Sequence, residues 1–225
     1  DLKRAQELFD AGRVLDAAKL GLPKAQGIMG KRYLLGTYGE ERNTTKAFEW
    51  TSKAARSGDK GGQWLFGQLH KLGLGGVEKN WVEALKWYEL AAAQGISAAM
   101  SNIGVIYECG HAVDRDLATA LSWYKKSADA GRKSANYRIG RFYYEGSGVA
   151  KDLVEARRWF QKASDLECTD GHFILGFMKV RGEGGTKELI VGMTLIEKAA
   201  NDGNTLAVKF LEQHSVAVAS MSSPI

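Results

Sequence analysis

The chain has 225 residues, with 31 Lys and Arg against 26 Asp and Glu, a net charge of +5 and a hydrophobic share of 44%. That balance excludes a disordered chain and a disulfide-built mini-protein, since only two cysteines occur. No apolar run approaches the ~18 residues a bilayer span needs, and no run of five like charges offers a nucleic acid a basic stripe.

The chain opens on Asp1 and not on Met. This fits either a removed signal peptide or a trimmed chain, and an exported, periplasmic location is expected over a cytoplasmic one. Leu2 to Asp10 and Arg13 to Leu20 read as the two helices of a shortened starting unit over residues 1–22. From there three registers lock together. Gly30, Gly67, Gly104, Gly140 and Gly176 follow one another at 37, 37, 36 and 36 residues. Trp50, Trp87, Trp123, Trp159 and Leu195 step by 37, 36, 36 and 36. Gly36, Gly73, Gly110, Gly146 and Gly182 repeat the steps of the first register. A period in the mid-thirties marks an array of helical hairpins. The units are placed at 23–59, 60–96, 97–132, 133–168 and 169–203, with a cap at 204–216 and a flexible tail at 217–225.

The first full unit turns through Gly36-Thr37-Tyr38-Gly39-Glu40-Glu41-Arg42-Asn43, and the second through Gly73-Leu74-Gly75-Gly76-Val77. The third is the clearest. Ala98 to Glu108 has apolar residues at helical spacing and ends before Gly110. Asp114 and Asp116 precede a second periodic stretch, Leu117 to Ala128, which ends at Gly131. Carboxylates ahead of a helix and a glycine behind it satisfy its end groups and its dipole. Gly104 in mid-helix costs roughly 1 kcal/mol against Ala, so a second helix must cross closely there, with Ala47, Ala84, Ala120 and Ala156 as its small partners. The register tryptophans, each with about 150–250 Å² to bury, are expected to fill the seam between hairpins. The pairs Ala54-Ala55, Ala91-Ala92, Ser127-Ala128, Ala163-Ser164 and Ala199-Ala200 let the next hairpin dock. The last full unit carries Leu195 for Trp and Gly192 for Ala, which predicts looser packing. Leu206 to Gln213 reads as a capping helix and Val216 to Ile225 as frayed.

The run of small residue, Leu-Gly, aromatic, Gly-x-Gly-Val, acidic, Ala-x-x-Trp-Tyr-x-x-Ala-Ala-x-x-Gly resembles the Sel-1-like repeat, a relative of the tetratricopeptide repeat. It is clearest in Ala84-Leu85-Lys86-Trp87-Tyr88-Glu89-Leu90-Ala91-Ala92-Ala93-Gln94-Gly95 and in Gly146-Ser147-Gly148-Val149-Ala150-Lys151-Asp152. The resemblance covers about residues 22–207. It implies an all-α, right-handed α-solenoid with first helices on a concave face and second helices on a convex one.

What recurs in every copy serves stacking, so recognition is sought where the copies differ. By analogy with the tetratricopeptide hairpin, a partner protein is expected to meet Lys31, Trp64, Gln68, Lys71, Glu108, Tyr137, Arg141, Tyr144, Phe173, Phe177 and Arg181. Aromatic residues and Arg are enriched at binding hot spots. The expected function is a non-catalytic, monomeric interaction scaffold. An immunity or regulatory protein that neutralises a secreted effector is one form of it, and a glycan- or peptidoglycan-fragment-binding envelope protein is the rival. No cofactor, metal, nucleic acid or transmembrane segment is expected. The four histidines, His70, His111, His172 and His214, show no paired metal-ligand spacing, and His70 reads as a packing residue. Ser57-Gly58-Asp59-Lys60 and Ser122-Trp123-Tyr124-Lys125 match a serine-enzyme spacing but lack its partner motifs. Gly182-Glu183-Gly184-Gly185 has neither the strand nor the Lys of a phosphate loop. Cys109 and Cys168 are read as free thiols.

Overall fold

The computed structural model describes the backbone of residues 1–221 and the side chains of residues 1–214. Its thirteen helices among the described residues are α1 (Leu2–Asp10), α2 (Val14–Lys19), α3 (Pro23–Leu35), α4 (Thr44–Arg56), α5 (Lys60–Leu72), α6 (Trp81–Ala93), α7 (Ser97–Cys109), α8 (Leu117–Asp129), α9 (Lys133–Glu145), α10 (Leu153–Asp165), α11 (Thr169–Arg181), α12 (Leu189–Asn201) and α13 (Thr205–Met221). No strand occurs among the described residues. The capping helix therefore continues beyond Gln213, and the end of the expected tail, residues 222–225, lies outside the described residues. The helices group into two compact units that divide between Trp123 and Tyr124, inside α8.

The register glycines act at both ends of each hairpin. Gly36, Gly73, Gly110, Gly146 and Gly182 end the first helices in the left-handed region, with φ from 66° to 75°, where a Cβ is penalised. The mid-helix glycines meet the second helix of the same hairpin. A Cβ on Gly67 would lie 2.7 Å from the Tyr88 ring, and one on Gly140 would lie 2.7 Å from Phe160. Second helices begin on side-chain caps: Asn43, Asn80 and Asp152 each accept the backbone N–H three residues on.

The core departs from the expectation in one respect. The register tryptophans are only half-buried, and the deepest positions are the residues that follow them. Thr51, Tyr88, Tyr124, Phe160 and Ile196 are all exposed by 1% or less. The crossing glycine faces that next residue, which leaves each tryptophan one step around the helix, on the flank. In the compact unit up to Trp123, Trp87 packs edge-on to Phe66 at 5.0 Å between centroids. In the one from Tyr124, Trp159 donates to Glu155 at 2.8 Å and lies under the Lys162 ammonium. The small pairs dock hairpins as expected. A Cβ on Gly62 would meet the Ala54 Cβ at 2.6 Å, and one on Gly171 would meet the Ala163 Cβ at 2.7 Å. His70 packs between Phe48 and Phe66, at 5.8 and 4.6 Å, and burial lowers its pKa.

Candidate functional site

In the unit before α8, the first-helix face is built from α3, α5 and α7. Helix α3 starts on Pro23, whose fixed φ suits a first helical position. Helix α5 starts on Asp59, whose carboxylate accepts from Gly62 N–H at 2.6 Å. Ile96 opens α7 without a side-chain cap. Gly27 lets the starts of α3 and α5 close up, since a Cβ there would lie 2.9 Å from Asp59 Oδ2. Between these helix starts lies an open recess of about 430 Å³. Ile28, Trp64, Leu65 and Ile96 supply its apolar surface, and Lys24, Lys31 and Lys60 stand around it. A second recess of about 460 Å³ shares Ile28 and Lys31 and continues to Arg32, Leu35 and Tyr38.

Two of the expected partner residues, Lys31 and Trp64, thus share one recess. The Trp64 Nε1 and Arg32 Nε atoms are buried donors with no acceptor among the described residues. Gln68 is held by the Tyr88 hydroxyl, which donates to its Oε1 at 3.0 Å. The Lys71 ammonium lies 5.9 Å from the Trp81 ring centre, and His111 stacks on the same ring at 4.2 Å. Glu108 is half-buried near the end of α7, and its carbonyl accepts from Arg115. Lys24, Lys60 and Ile96 were missed in the sequence because they sit at helix starts, where spacing reads only as capping, and Ile28 because an apolar residue in a helix reads as core.

In the unit from Tyr124 onward, Tyr137 is half-buried 5.8 Å from Phe160, and burial raises its pKa. Arg141 lies 3.7 Å from Glu145 along α9. The Tyr144 hydroxyl donates to Glu183 at 2.9 Å, while Arg181 pairs with the same carboxylate at 3.2 Å and covers the Phe177 ring at 5.1 Å. Phe177 in turn meets Phe210 of α13 edge-on at 5.9 Å. Phe173 lies below this surface. It is 8% exposed and packed with Ile196, Ala199 and Ala207, because α12 and α13 close over it.

One constellation has the look of catalytic machinery. Ser164 Oγ lies 2.7 Å from His172 Nδ1, and His172 Nε2 lies 3.2 Å from Glu167, which also receives the Lys198 ammonium at 2.6 Å. Ser164 and His172 are 4% and 2% exposed, so no substrate reaches the hydroxyl. The chain of contacts satisfies a buried imidazole at the corner between α10 and α11. Among the described residues no group of His, Cys, Asp and Glu could hold a metal ion, no helix is long and apolar enough to cross a membrane, and both cysteines are free.

The family model of the Sel1 repeat matches the chain five times, at residues 23–59, 62–96, 97–131, 133–168 and 169–204. Among solved structures, a Sel1 repeat protein from Oxalobacter formigenes is 27% identical with a TM-score of 0.83, over 94% of this chain and 88% of that one. A protective antigen present in uropathogenic Escherichia coli strains is 32% identical with a TM-score of 0.78, over 87% of this chain but 42% of its own length. An immunity protein from Pseudomonas aeruginosa shares the fold at 18% identity, with a TM-score of 0.56, over 84% of this chain and 71% of that one. No curated protein sequence matches the chain.

Proposed function

The chain belongs to the Sel1 repeat family, and from that premise we propose that it is a non-catalytic scaffold whose first-helix face holds a partner protein. The observation that carries this reading is the division of labour within the repeat. The recurring glycines and small residues are consumed by packing, while several first-helix positions that differ between copies stay at least partly exposed in both units: Lys31 and Trp64 in one, Tyr137, Arg141 and Phe177 in the other. Aromatic side chains with one face available and arginines beside them are the usual anchors of protein interfaces. The glycan reading needs open aromatic platforms for a sugar ring. Trp64 is half-buried, Tyr137 leans on Phe160 and Phe173 is in the core, so the geometry favours a protein.

Neutralising a secreted effector is a finer form of this proposal. It is supported by the fold alone, through the Pseudomonas aeruginosa immunity protein. Affinity capture from native extract tests the scaffold. The wild-type chain is expected to retain a stoichiometric protein that a Tyr137→Ala, Arg141→Ala variant of unchanged stability releases. Equal capture by both overturns the assignment of the face. A captured protein that is a secreted toxin, and whose toxicity the chain suppresses, supports the immunity form; a captured partner that is never exported overturns it.

A further inference from the structure

The recess between the starts of α3, α5 and α7 has a chemistry of its own, and we propose that it receives an acidic segment of a partner protein by seating one apolar side chain between carboxylates. The inference rests on the scaffold reading and names what that scaffold recognises here.

Three features converge. The cavity of about 430 Å³ is large enough for a leucine- or phenylalanine-sized group, and Ile28, Leu65, Ile96 and the half-buried Trp64 give it an apolar lining. Lys24, Lys31 and Lys60 stand around that lining, all exposed. Among the described residues, Lys31 and Lys60 are in no ion pair, and Lys24 only lies over the Phe9 ring at 5.2 Å. Among the lining residues Asp59 is the one carboxylate; it accepts from the Gly62 N–H and is in no ion pair with a lysine, so three ammonium groups against one carboxylate leave the recess net positive. The helix starts add to this field, because α3 and α7 begin without a side-chain cap and the first turn of a helix carries partial positive charge. The Trp64 indole N–H, buried beneath this lining, has no acceptor among the described residues, and its signal therefore reports on the recess.

An apolar ligand without charge would leave three ammonium groups facing it. An acidic ligand without an apolar side chain would leave the pocket wet. A segment that carries both meets the whole site, and complementary charge adds rate and selectivity to the contact.

The test uses the whole chain and three blocked peptides: acetyl-Glu-Asp-Leu-Asp-Glu-amide, its Gln/Asn counterpart without charge, and its Leu-to-Ala counterpart. Binding is followed by NMR through the indole N–H of Trp64, assigned with Trp64→Phe. The acidic leucine peptide is expected to shift that signal, and the other two peptides to bind about tenfold more weakly. A Lys31→Glu, Lys60→Glu variant is expected to lose about tenfold, while Lys31→Arg, Lys60→Arg retains binding and both keep the wild-type melting temperature. Equal binding of the uncharged peptide, full binding by the charge-reversed variant, or a Trp64 signal unmoved at millimolar peptide overturns the proposal. If a partner captured by the wild type also stays on the charge-reversed variant, the acidic segment is wrong and the scaffold stands. If the peptide binds as expected yet no partner is ever captured, the scaffold falls and the chemistry of the recess stands.

Discussion

At the residue scale, the decisive positions are glycines whose missing Cβ is already occupied by a neighbour. Gly140 shows the competition clearly. Replacing it with Ala gains about 1 kcal/mol of helix propensity, but the new methyl would sit 2.7 Å from the ring of Phe160, which is 1% exposed and cannot swing away. Overpacking of a filled core costs about 1–3 kcal/mol. The steric term at least cancels the gain, so Gly140→Ala is expected to lose up to about 2 kcal/mol in urea unfolding. Gly61→Ala is the control. Its Cβ would meet only the side-chain oxygen Asp59 Oδ2, at 3.3 Å, so there the helix propensity prevails and a change between zero and a gain of about 1 kcal/mol is expected. If Gly140→Ala stabilises the chain, the close crossing of α9 and α10 is wrong. The spacing of the glycines was legible because each is needed at the same place in every hairpin. Which neighbour they face was not. Tyr88 and Phe160 look, in the sequence, like companions of the more conspicuous tryptophans beside them.

At the element scale, the corner between α10 and α11 joins three helices through side chains. His172 of α11 lies against Ser164 of α10 and against Glu167 in the turn, and Lys198 of α12 reaches the same carboxylate. The Lys198 ammonium, and after it the His172 ring, hold the Glu167 carboxyl below its usual range. A carboxyl whose folded pKa is depressed stabilises the fold above its unfolded value, and that contribution fades as the pH falls through the folded one. The wild type is therefore expected to melt slightly above Lys198→Ala at neutral pH, with the two midpoints converging as the pH drops below 4.5. The gain is small because Glu167 is 65% exposed and solvent screens such a pair. A difference that is constant across that range would assign Lys198 to packing. None of this corner was legible from spacing, since it depends on which side chains a turn brings together. The same limit explains Phe173. Its place in the repeat put it on the concave, partner-facing side, but α13 follows the last hairpin and covers it. Lys31 and Trp64 escape this fate because a groove, and no helix, lies over them.

At the scale of the whole molecule, the sequence reads as one domain, while the packing divides inside α8. Trp123, at the end of one unit, packs against the cluster of Tyr88, Ile103 and Ile106. Tyr124, the first residue of the other, is fully buried, with its ring 5.6 Å from Phe142. Adjacent residues of one helix thus anchor two cores, and the backbone between them is continuous hydrogen-bonded helix. In an array whose stability is a sum of local and nearest-neighbour terms, a single domain requires that melting this helix release both anchors. Ser122 is exposed, so substitution there tests the backbone without disturbing a core. Ser122→Pro removes one helical hydrogen bond and clashes with the preceding turn, at a cost of about 3 kcal/mol, whereas Ser122→Ala should lie within about 0.5 kcal/mol of wild type. Hydrogen exchange is expected to accelerate around Tyr88 and Ile103 as well as around Phe142 in the proline variant. Acceleration confined to one side would mean that the two units open independently, and the chain would then be two domains sharing a helix.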